Sequence, residues 1–272
     1  MKPVGVVGNL ALDLFPGAPP RPGGGPIYAA QALRALGRPG TIACKCGVAD
    51  RPELLPRIAE LGLPVRCLAG HSTATFSFAY SGEERTLGVE SLGDPWTTDE
   101  AAGWVARALD RVEWVHVAPL LRSDFPAETL ERLARGRRLL FDGQGLVRVP
   151  ELGPLRLDDD FDPDILRSVA ILKLSQEEAE VLVGEELEPS ALMALGVREV
   201  VVTLGSRGCL VVAEGRAERV AATPIRGSVA PPGAGAACAV SYPVARSGGQ
   251  PPVAAARRAS AVVAGLLAGR GR

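Results

Sequence analysis

The chain has 272 residues, of which 47% are hydrophobic and 22% are charged, with 30 Lys and Arg against 31 Asp and Glu. A chain of this length can bury a large core within one domain, so we expect a single domain over residues 1–272. The balanced charge offers no field of one sign to attract nucleic acid or an anionic membrane, so we expect a small-molecule partner, no nucleic acid and no membrane.

The first residues predict a buried strand and not a secretion signal. The sequence MKPVGVVGNLALDLF has no basic region followed by a long apolar one and no cleavage site. The most apolar segment near the other end, Ala259 to Ala268, contains Ser260 and Gly265 and is about half the length that a bilayer requires. We therefore expect a cytoplasmic protein.

Strand-like runs rich in Val and Ile alternate along the chain with runs in which apolar residues recur every three or four positions. This alternation predicts a mostly parallel sheet with helices on both faces. The predicted strands are Val4 to Val7, Gly40 to Cys46, Trp114 to Val117, Arg138 to Asp142, Ala170 to Leu174 and Glu199 to Leu204. The predicted helices are Ile27 to Leu36, Pro52 to Leu61, Thr98 to Leu109, Ala127 to Ala134, Gln176 to Val183 and Pro189 to Leu195.

One segment departs from this alternation. Between Thr73 and Leu92, the sequence TATFSFAY is followed by SGEE and then by RTLGVESL, which is typical of a β-hairpin. We expect this hairpin at the edge of the sheet or as a flap. Proline- and glycine-rich stretches at 16–26 and 226–235 are predicted to be loops.

Three glycine-containing segments are candidates for ligand binding. Gly23 and Gly24 precede a helix, and Gly205 and Gly208 lie between two strands; an ordinary loop and an ordinary hairpin turn explain both pairs equally well. In the third segment, residues 233–235 precede a helix that begins near Ala236. Unpaired backbone amides and the helix dipole at such a position favour an anion, although a tight turn remains an alternative.

The order and spacing of these segments resemble the pfkB family of carbohydrate and nucleoside kinases along nearly the whole chain. The resemblance implies a ribokinase-like, doubly wound sheet with a small β lid. It also implies transfer of the ATP γ-phosphate to a hydroxyl of a small sugar, polyol or nucleoside, with Mg²⁺ as the metal. The segment FDGQGLVR and the hairpin look closest to the small inositol- or sugar-kinase branches.

The resemblance assigns residues to the two ligands. Asp13 matches the aspartate that binds substrate hydroxyls, and Tyr28 stands where an asparagine is common. The substrate-binding candidates are Asp13, Gly23, Gly24, Tyr28, Asp142 and Arg148. Ser175 stands where asparagine is expected in the Asn-x-x-Glu motif, whose glutamate, Glu178 here, holds magnesium through water. The nucleotide-binding candidates are Ser175, Thr203, Gly205, Gly208 and Ser260.

The catalytic loop departs from the family pattern. The family motif Asp-Thr-x-Gly-Ala-Gly-Asp aligns with residues 230–236, so Gly233, Ala234 and Gly235 keep the anion hole while Ala236 replaces the final aspartate, which is the general base. A positioned base contributes roughly 10²- to 10⁴-fold to the rate. Further along the same segment, Pro243 is expected to kink or shorten the helix.

Three explanations of Ala236 remain open at this point. The chain is a natural non-catalytic relative with a regulatory role, or an altered form of an active kinase, or an enzyme whose base comes from elsewhere, with Asp13 and Asp142 as the carboxylate candidates. We interpret His116, which lies within a predicted strand, as a structural residue with a local hydrogen bond. The sequence also leaves open whether the flap forms a homodimer.

Overall fold

The computed structural model describes residues 3–81, 84–224 and 234–270, and the strands of these residues form two sheets. The larger sheet has nine strands, in the spatial order β14-β13-β12-β11-β9-β8-β1-β4-β5. Its strands are β1 (Val4–Asn9), β4 (Gly40–Gly47), β5 (Val65–Gly70), β8 (Trp114–Ala118), β9 (Arg138–Asp142), β11 (Val169–Ser175), β12 (Glu199–Thr203), β13 (Cys209–Ala213) and β14 (Arg216–Val220).

All neighbouring strands of this sheet are parallel except at one edge, where β12, β13 and β14 pair antiparallel. From β1 the chain adds β4 and β5 on one side and later adds β8, β9, β11 and β12 on the other. The strand order therefore reverses between β1 and β8. In open α/β sheets, ligands bind at the carboxyl ends of the strands at such a point of reversal.

Helices cover both faces of the larger sheet, as the sequence predicts. One core packs α1, α2, α10 and α11 against the sheet, and a second packs α5, α7, α8 and α9 against the opposite face. The helices are α1 (Gly25–Ala35), α2 (Arg51–Ala59), α3 (Thr98–Glu100), α4 (Ala106–Ala108), α5 (Ala127–Ala134), α6 (Gln144–Val147), α7 (Asp164–Arg167), α8 (Gln176–Val183), α9 (Pro189–Ala194), α10 (Ala234–Ser247) and α11 (Pro252–Arg270). A π-helical turn, Ala101–Val105, joins α3 to α4.

The predicted hairpin is confirmed and belongs to a larger lid. It consists of β6 (Ala74–Ser81) and β7 (Glu84–Ser91), and the smaller sheet has the order β10-β7-β6-β2-β3. The added strands are β2 (Ala11–Leu14), β3 (Arg21–Gly23) and β10 (Gly153–Pro154). Stretch 16–26, expected to be a loop, thus contains β3 and the start of α1, because a strand of three residues with Pro22 carries no alternation signal.

The predicted shortening of helix α10 at Pro243 is wrong, while the predicted kink stays a prediction. The helix runs for 14 residues and continues past this proline, which is buried. Contacts on both sides of the proline hold the helix to the sheet: the Tyr242 hydroxyl donates to a Glu199 carboxylate oxygen at 2.9 Å, and the Arg246 guanidinium donates to the same carboxylate. This tertiary anchoring offsets the hydrogen bond that proline cannot make.

None of the helices in the described ranges is both long enough and apolar enough to cross a membrane.

A buried carboxyl group supports the junction between the larger sheet and the lid. Asp124 follows β8, and one of its carboxylate oxygens accepts a hydrogen bond from the Leu120 N–H at 2.7 Å. Leu120 and Leu121 belong to the apolar core of the lid. Burial raises the pKa of Asp124 to about 7, although the Leu120 and Leu121 amides and the charges of Lys45 and Arg148 oppose this shift. The neutral acid is therefore the form that the fold favours.

The raised pKa of Asp124 predicts that the folded protein loses stability as the pH rises. Because the folded-state pKa lies above the unfolded-state value, the unfolded chain releases this proton first as the pH rises. The free energy of unfolding should fall by about 4 kcal/mol between pH 4 and pH 7 and then level off. Asp124→Asn keeps a hydrogen-bond acceptor without the charge, so urea unfolding at several pH values should show that this fall is absent. Parallel pH profiles for the two proteins would contradict the assignment.

Candidate functional site

The first group of candidate residues lies where β2, β3 and α1 meet. Asp13 is buried, and the Tyr28 hydroxyl lies 3.4 Å from one of its carboxylate oxygens. A Cβ atom at Gly23 would lie only 2.5 Å from the Asp13 carboxylate, and one at Gly24, where φ is +95°, would lie 2.5 Å from the carbonyl oxygen of Asn9. A side chain at Gly23 or Gly24 would therefore meet Asp13 or Asn9 at close range. Asp13, Gly23, Gly24 and Tyr28 lie together in one group.

A second group lies at the start of α10. Ala234, Gly235 and Ala236 form the first turn of this helix and are half-buried, while Gly233 lies outside the described residues. A Cβ atom at Gly235 would lie 3.2 Å from Lys173 Nζ. An ammonium group thus lies next to the first turn of a 14-residue helix, where backbone N–H groups have no partner within the helix.

Lys173 belongs to a buried cluster of three ionisable side chains from adjacent strands. Asp142 Oδ2 lies 2.7 Å from His116 Nε2, and Asp142 Oδ1 lies 3.5 Å from Lys173 Nζ. Their exposed fractions are 0% for His116, 4% for Asp142 and 7% for Lys173. Burial disfavours the charge of Asp142, but Lys173 and His116 outweigh it and the pKa of Asp142 is lowered. Burial likewise disfavours the charge of Lys173, but Asp142 and Glu178 outweigh it and raise the pKa of Lys173.

This cluster changes the interpretation of two residues. The partner of His116 is not local, since it binds Asp142, 26 residues further along the chain. Asp142, a substrate-binding candidate and one of two candidate replacement bases, has its carboxylate in the interior between two cationic or hydrogen-bonding partners. A carboxylate with a lowered pKa is a weak base, so the geometry favours a role in positioning Lys173.

Sequence reasoning missed Lys173, although a signal was present. The run ILKLS places a lysine within an otherwise apolar strand, and lysine is almost never fully buried without a partner. The sequence does not show that Asp142 is the partner of Lys173. This pairing depends on β9 lying next to β11, which is a property of the strand order.

Ser175 and Glu178 form a capping box at the start of α8. The Glu178 N–H donates to Ser175 Oγ at 3.2 Å, and the Ser175 N–H donates to Glu178 Oε2 at 2.8 Å. In the described ranges no group of three or more side chains is arranged to hold a metal ion. The predicted contact of Glu178 with magnesium through water stays a prediction.

Arg148 lies on the lid side of the site. Its backbone carbonyl accepts a hydrogen bond from the Arg122 N–H at 3.0 Å, and its charge acts on the buried carboxyl of Asp124. Arg148 therefore contributes to the loop that supports the lid. Its predicted contact with substrate stays a prediction.

The remaining nucleotide candidates lie around the turn between β12 and β13 and on α11. Thr203 Oγ1 donates to the Leu174 carbonyl at 3.1 Å, which joins β12 to β11. Gly205 and Gly208 both have positive φ; Gly205 is the first residue of a 3-10 turn and Gly208 follows it, donating its N–H to the Gly205 carbonyl at 3.1 Å. Ser260 Oγ accepts from the Thr223 N–H at 2.9 Å. Each residue thus has a structural contact, and nucleotide binding by this group stays a prediction.

A protein-family model and several solved structures match the chain. The family model described as pfkB family carbohydrate kinase matches residues 20–270. No curated protein matches. Among solved structures, a pyrophosphate-dependent kinase in the ribokinase family, complexed with a pyrophosphate analog and myo-inositol, has a TM-score of 0.81 at 23% identity, covering 96% of this chain and 93% of that chain.

Two further structures have the same fold. Arabidopsis thaliana ribokinase complexed with ribose and ATP has a TM-score of 0.74 at 19% identity and covers 97% of this chain and 92% of that chain. A Burkholderia thailandensis nucleoside kinase in complex with inosine has a TM-score of 0.75 at 19% identity, covering 97% and 90%. The ribokinase-like fold inferred from the sequence is therefore confirmed.

Gly208 gives a stability prediction for the candidate nucleotide turn. A Cβ atom there would collide with the Val220 carbonyl oxygen, and φ is +93°. We expect Gly208→Ala to lower the free energy of unfolding by about 3 kcal/mol through backbone strain and overlap. Gly215→Ala is the matched control because φ is +73° there and the space is open, so it should cost about 1 kcal/mol. Equal losses in urea unfolding would contradict the role of the Val220 contact.

Proposed function

The chain belongs to the pfkB family of carbohydrate kinases, and we propose that it binds the phosphate donor and hydroxylated acceptor of such a kinase but transfers phosphate slowly. One observation carries this proposal. In the first turn of α10, Gly235 lies next to the Lys173 ammonium, which keeps a positively charged anion site, while Ala236 has no group that can accept a proton.

The donor site is proposed at the amino end of α10. Its free N–H groups, the helix dipole and the Lys173 ammonium all favour a phosphate group. Glu178 would hold a magnesium ion through water, and this ion would neutralise charge on the phosphates. We propose ATP as the donor, with Thr203, Gly205, Gly208 and Ser260 at the nucleotide. Pyrophosphate is the alternative, because one structural neighbour is described as a pyrophosphate-dependent kinase.

The acceptor site is proposed around Asp13. A carboxylate accepts hydrogen bonds from hydroxyl groups, and Gly23 and Gly24 keep side-chain atoms away from it. The Tyr28 hydroxyl shares this carboxylate and adds a second polar contact. A small sugar, polyol or nucleoside meets these requirements. We place this activity in the cytoplasm, where phosphate donors and magnesium are available.

The slow transfer follows from the carboxylates near the site. Asp142 is committed to His116 and Lys173, and its lowered pKa makes it a weak proton acceptor. Asp13 already serves the acceptor hydroxyls in this proposal. Phosphoryl transfer depends mainly on positioning and charge stabilisation, so a residual rate survives the loss of the base.

A second candidate function uses the same two sites without turnover. The substitution of the base by Ala236, together with Ser175 in place of the motif asparagine, favours a regulatory protein that senses a sugar and a nucleotide. Ligand binding in the absence of product distinguishes this function from a slow kinase.

Restoring the base is the first test of the slow-kinase proposal. We expect Ala236→Asp to raise kcat by roughly 10²- to 10⁴-fold, because the carboxylate accepts the proton of the attacking hydroxyl. Product formation is measured with myo-inositol, ribose and inosine as acceptors and with ATP or pyrophosphate as donor, each with magnesium. Ala236→Asn is the matched control, since it adds the same volume without a base.

The outcomes separate the candidate functions. If only the Asp variant gains activity, the chain is a kinase that lacks its base, and the panel identifies its acceptor and donor. If neither protein forms product although both bind donor and acceptor, the regulatory function is supported. If the unchanged chain already turns over as fast as Ala236→Asp, the role assigned to position 236 is wrong.

Lys173 gives a separate prediction about donor binding. Removing its ammonium should weaken the binding of ATP or pyrophosphate by roughly 10- to 100-fold, the value of a charged hydrogen bond. Lys173→Met alone leaves Asp142 without its cationic partner and should also destabilise the fold by about 3–5 kcal/mol. The double variant Lys173→Met with Asp142→Asn removes both charges, so calorimetric titration of a folded protein is possible. Unchanged donor affinity in the double variant would exclude Lys173 from the donor site.

A further inference from the structure

Three cysteine thiols lie together on the two strands at one edge of the larger sheet. Cys44 and Cys46 are two residues apart on β4 and share one face, and Cys67 on β5 is the direct neighbour of Cys44 in the strand register. The sulfur atoms of Cys46 and Cys67 are 3.7 Å apart. All of these cysteines are free thiols in the structure.

The three thiols differ in exposure and in charge environment. Cys44 and Cys46 are buried, whereas Cys67 is half-buried. Arg51, the first residue of α2, reaches the backbone carbonyl of Cys67 at 3.4 Å. Its Nε is buried and has no hydrogen-bond partner among the described residues, so an unused donor lies close to the thiols.

Hydrogen bonding makes Cys67 the acidic member of the group. Bonds from Cys44 and Cys46, together with the Arg51 charge, lower the pKa of Cys67 to about 4 even though burial opposes this shift. The pKa of Cys46 is raised, chiefly by its hydrogen bond to Cys67 and by burial. Thiolates next to arginine are the reactive forms of cysteine in proteins.

We propose that Cys67 is a peroxide-reactive thiol and that Cys46 converts its sulfenic acid into a disulfide between β4 and β5. The proposal rests on the 3.7 Å separation of the two sulfur atoms, on the exposure of Cys67 and on the nearby guanidinium of Arg51. It does not depend on the proposed kinase function.

The chemistry has two balanced steps. The Cys67 thiolate attacks one oxygen of a hydroperoxide, a sulfur–oxygen bond forms, the oxygen–oxygen bond breaks, and the leaving hydroxide or alkoxide takes a proton. The Cys46 sulfur then attacks the sulfenic sulfur, the sulfur–oxygen bond breaks, and the departing hydroxide takes the Cys46 proton to form water. In sum, two thiols lose two electrons and the peroxide gains them. The two sulfur atoms approach from 3.7 Å to about 2.05 Å, and because Cys46 is paired in register with Ala69 and not with Cys67, β4 and β5 must shift for this diagonal link to form.

The chain contains its own control thiols. Burial raises the pKa of Cys209 to about 12 and that of Cys238 to about 11, so both remain protonated near neutral pH and should not be the thiols that attack peroxide. Neither lies on β4 or β5. Selective oxidation of Cys67 is therefore measurable within one molecule.

The location gives the disulfide a structural consequence. The residue after Cys46 is Gly47, whose N–H donates to Thr73 Oγ1 at 2.9 Å just before the lid strand β6 begins. A covalent link from Cys46 to Cys67 would fix the edge strand β5 beside the base of the lid.

Mapping of oxidised cysteines tests the proposal on the unmodified chain. With one equivalent of hydrogen peroxide, the five thiols of the chain should fall to three, and mass spectrometry should find one peptide pair that joins Cys46 to Cys67. In Cys46→Ser, dimedone should instead label Cys67 as a sulfenic acid. A link from Cys67 to Cys44, or equal oxidation of Cys209 and Cys238, would overturn the proposal.

The pH dependence of the reaction gives a second readout that needs no variant. Because hydrogen bonds with Cys44 and Cys46 and the charge of Arg51 lower the pKa of Cys67, its rate constant with peroxide should rise much less between pH 6 and pH 8 than that of an ordinary thiol. A thiol with an ordinary pKa near 8.5 would accelerate by about 70-fold over the same range. Arg51→Lys should retain most of the rate and Arg51→Gln should lose it. An ordinary pH profile, or a rate unaffected by Arg51→Gln, would overturn the proposal.

Discussion

The larger sheet contains a buried positive charge, and the fold must place an opposite charge beside it. Lys173 lies in the middle of the larger sheet, and a desolvated ammonium is tolerated only when an opposite charge is close. Asp142 supplies that charge from the neighbouring strand, and His116 holds the other oxygen of the same carboxylate. The three strands must therefore be adjacent and in the observed register for the cluster to form. The result is a fixed positive charge next to the first turn of α10.

In the proposed function, the groups that would bind phosphate are different from the group that would accept the proton. The proposed anion site uses backbone groups, a helix dipole and the Lys173 ammonium, which lies next to the first turn of α10. The proposed proton transfer uses one side chain at position 236, where this chain has alanine. The fold of the pfkB family is therefore retained in a chain that has alanine at position 236.

The lid is held to the larger sheet by contacts of a different kind. Phe15 and Phe78 stack within its core at 4.7 Å, and Leu121 from the loop after β8 packs into the same core. A Cβ atom at Gly24 would lie 2.5 Å from the carbonyl oxygen of Asn9 on β1, so this glycine allows the end of the lid strand β3 to approach the larger sheet closely. The proposed acceptor site around Asp13 therefore lies where the lid strands β2 and β3 meet α1.

The alternating strands and helices, the hairpin and the family could be predicted from the sequence, since each is a local pattern or an order of local patterns. The partners of Lys173, Asp142 and His116 could not be predicted, and neither could the continuation of α10 through Pro243. These depend on which strands lie side by side, and residues far apart in the chain leave no periodic signal of their proximity. The short strand β3 was also beyond the sequence, because three residues carry too little pattern to outweigh the prolines and glycines around them.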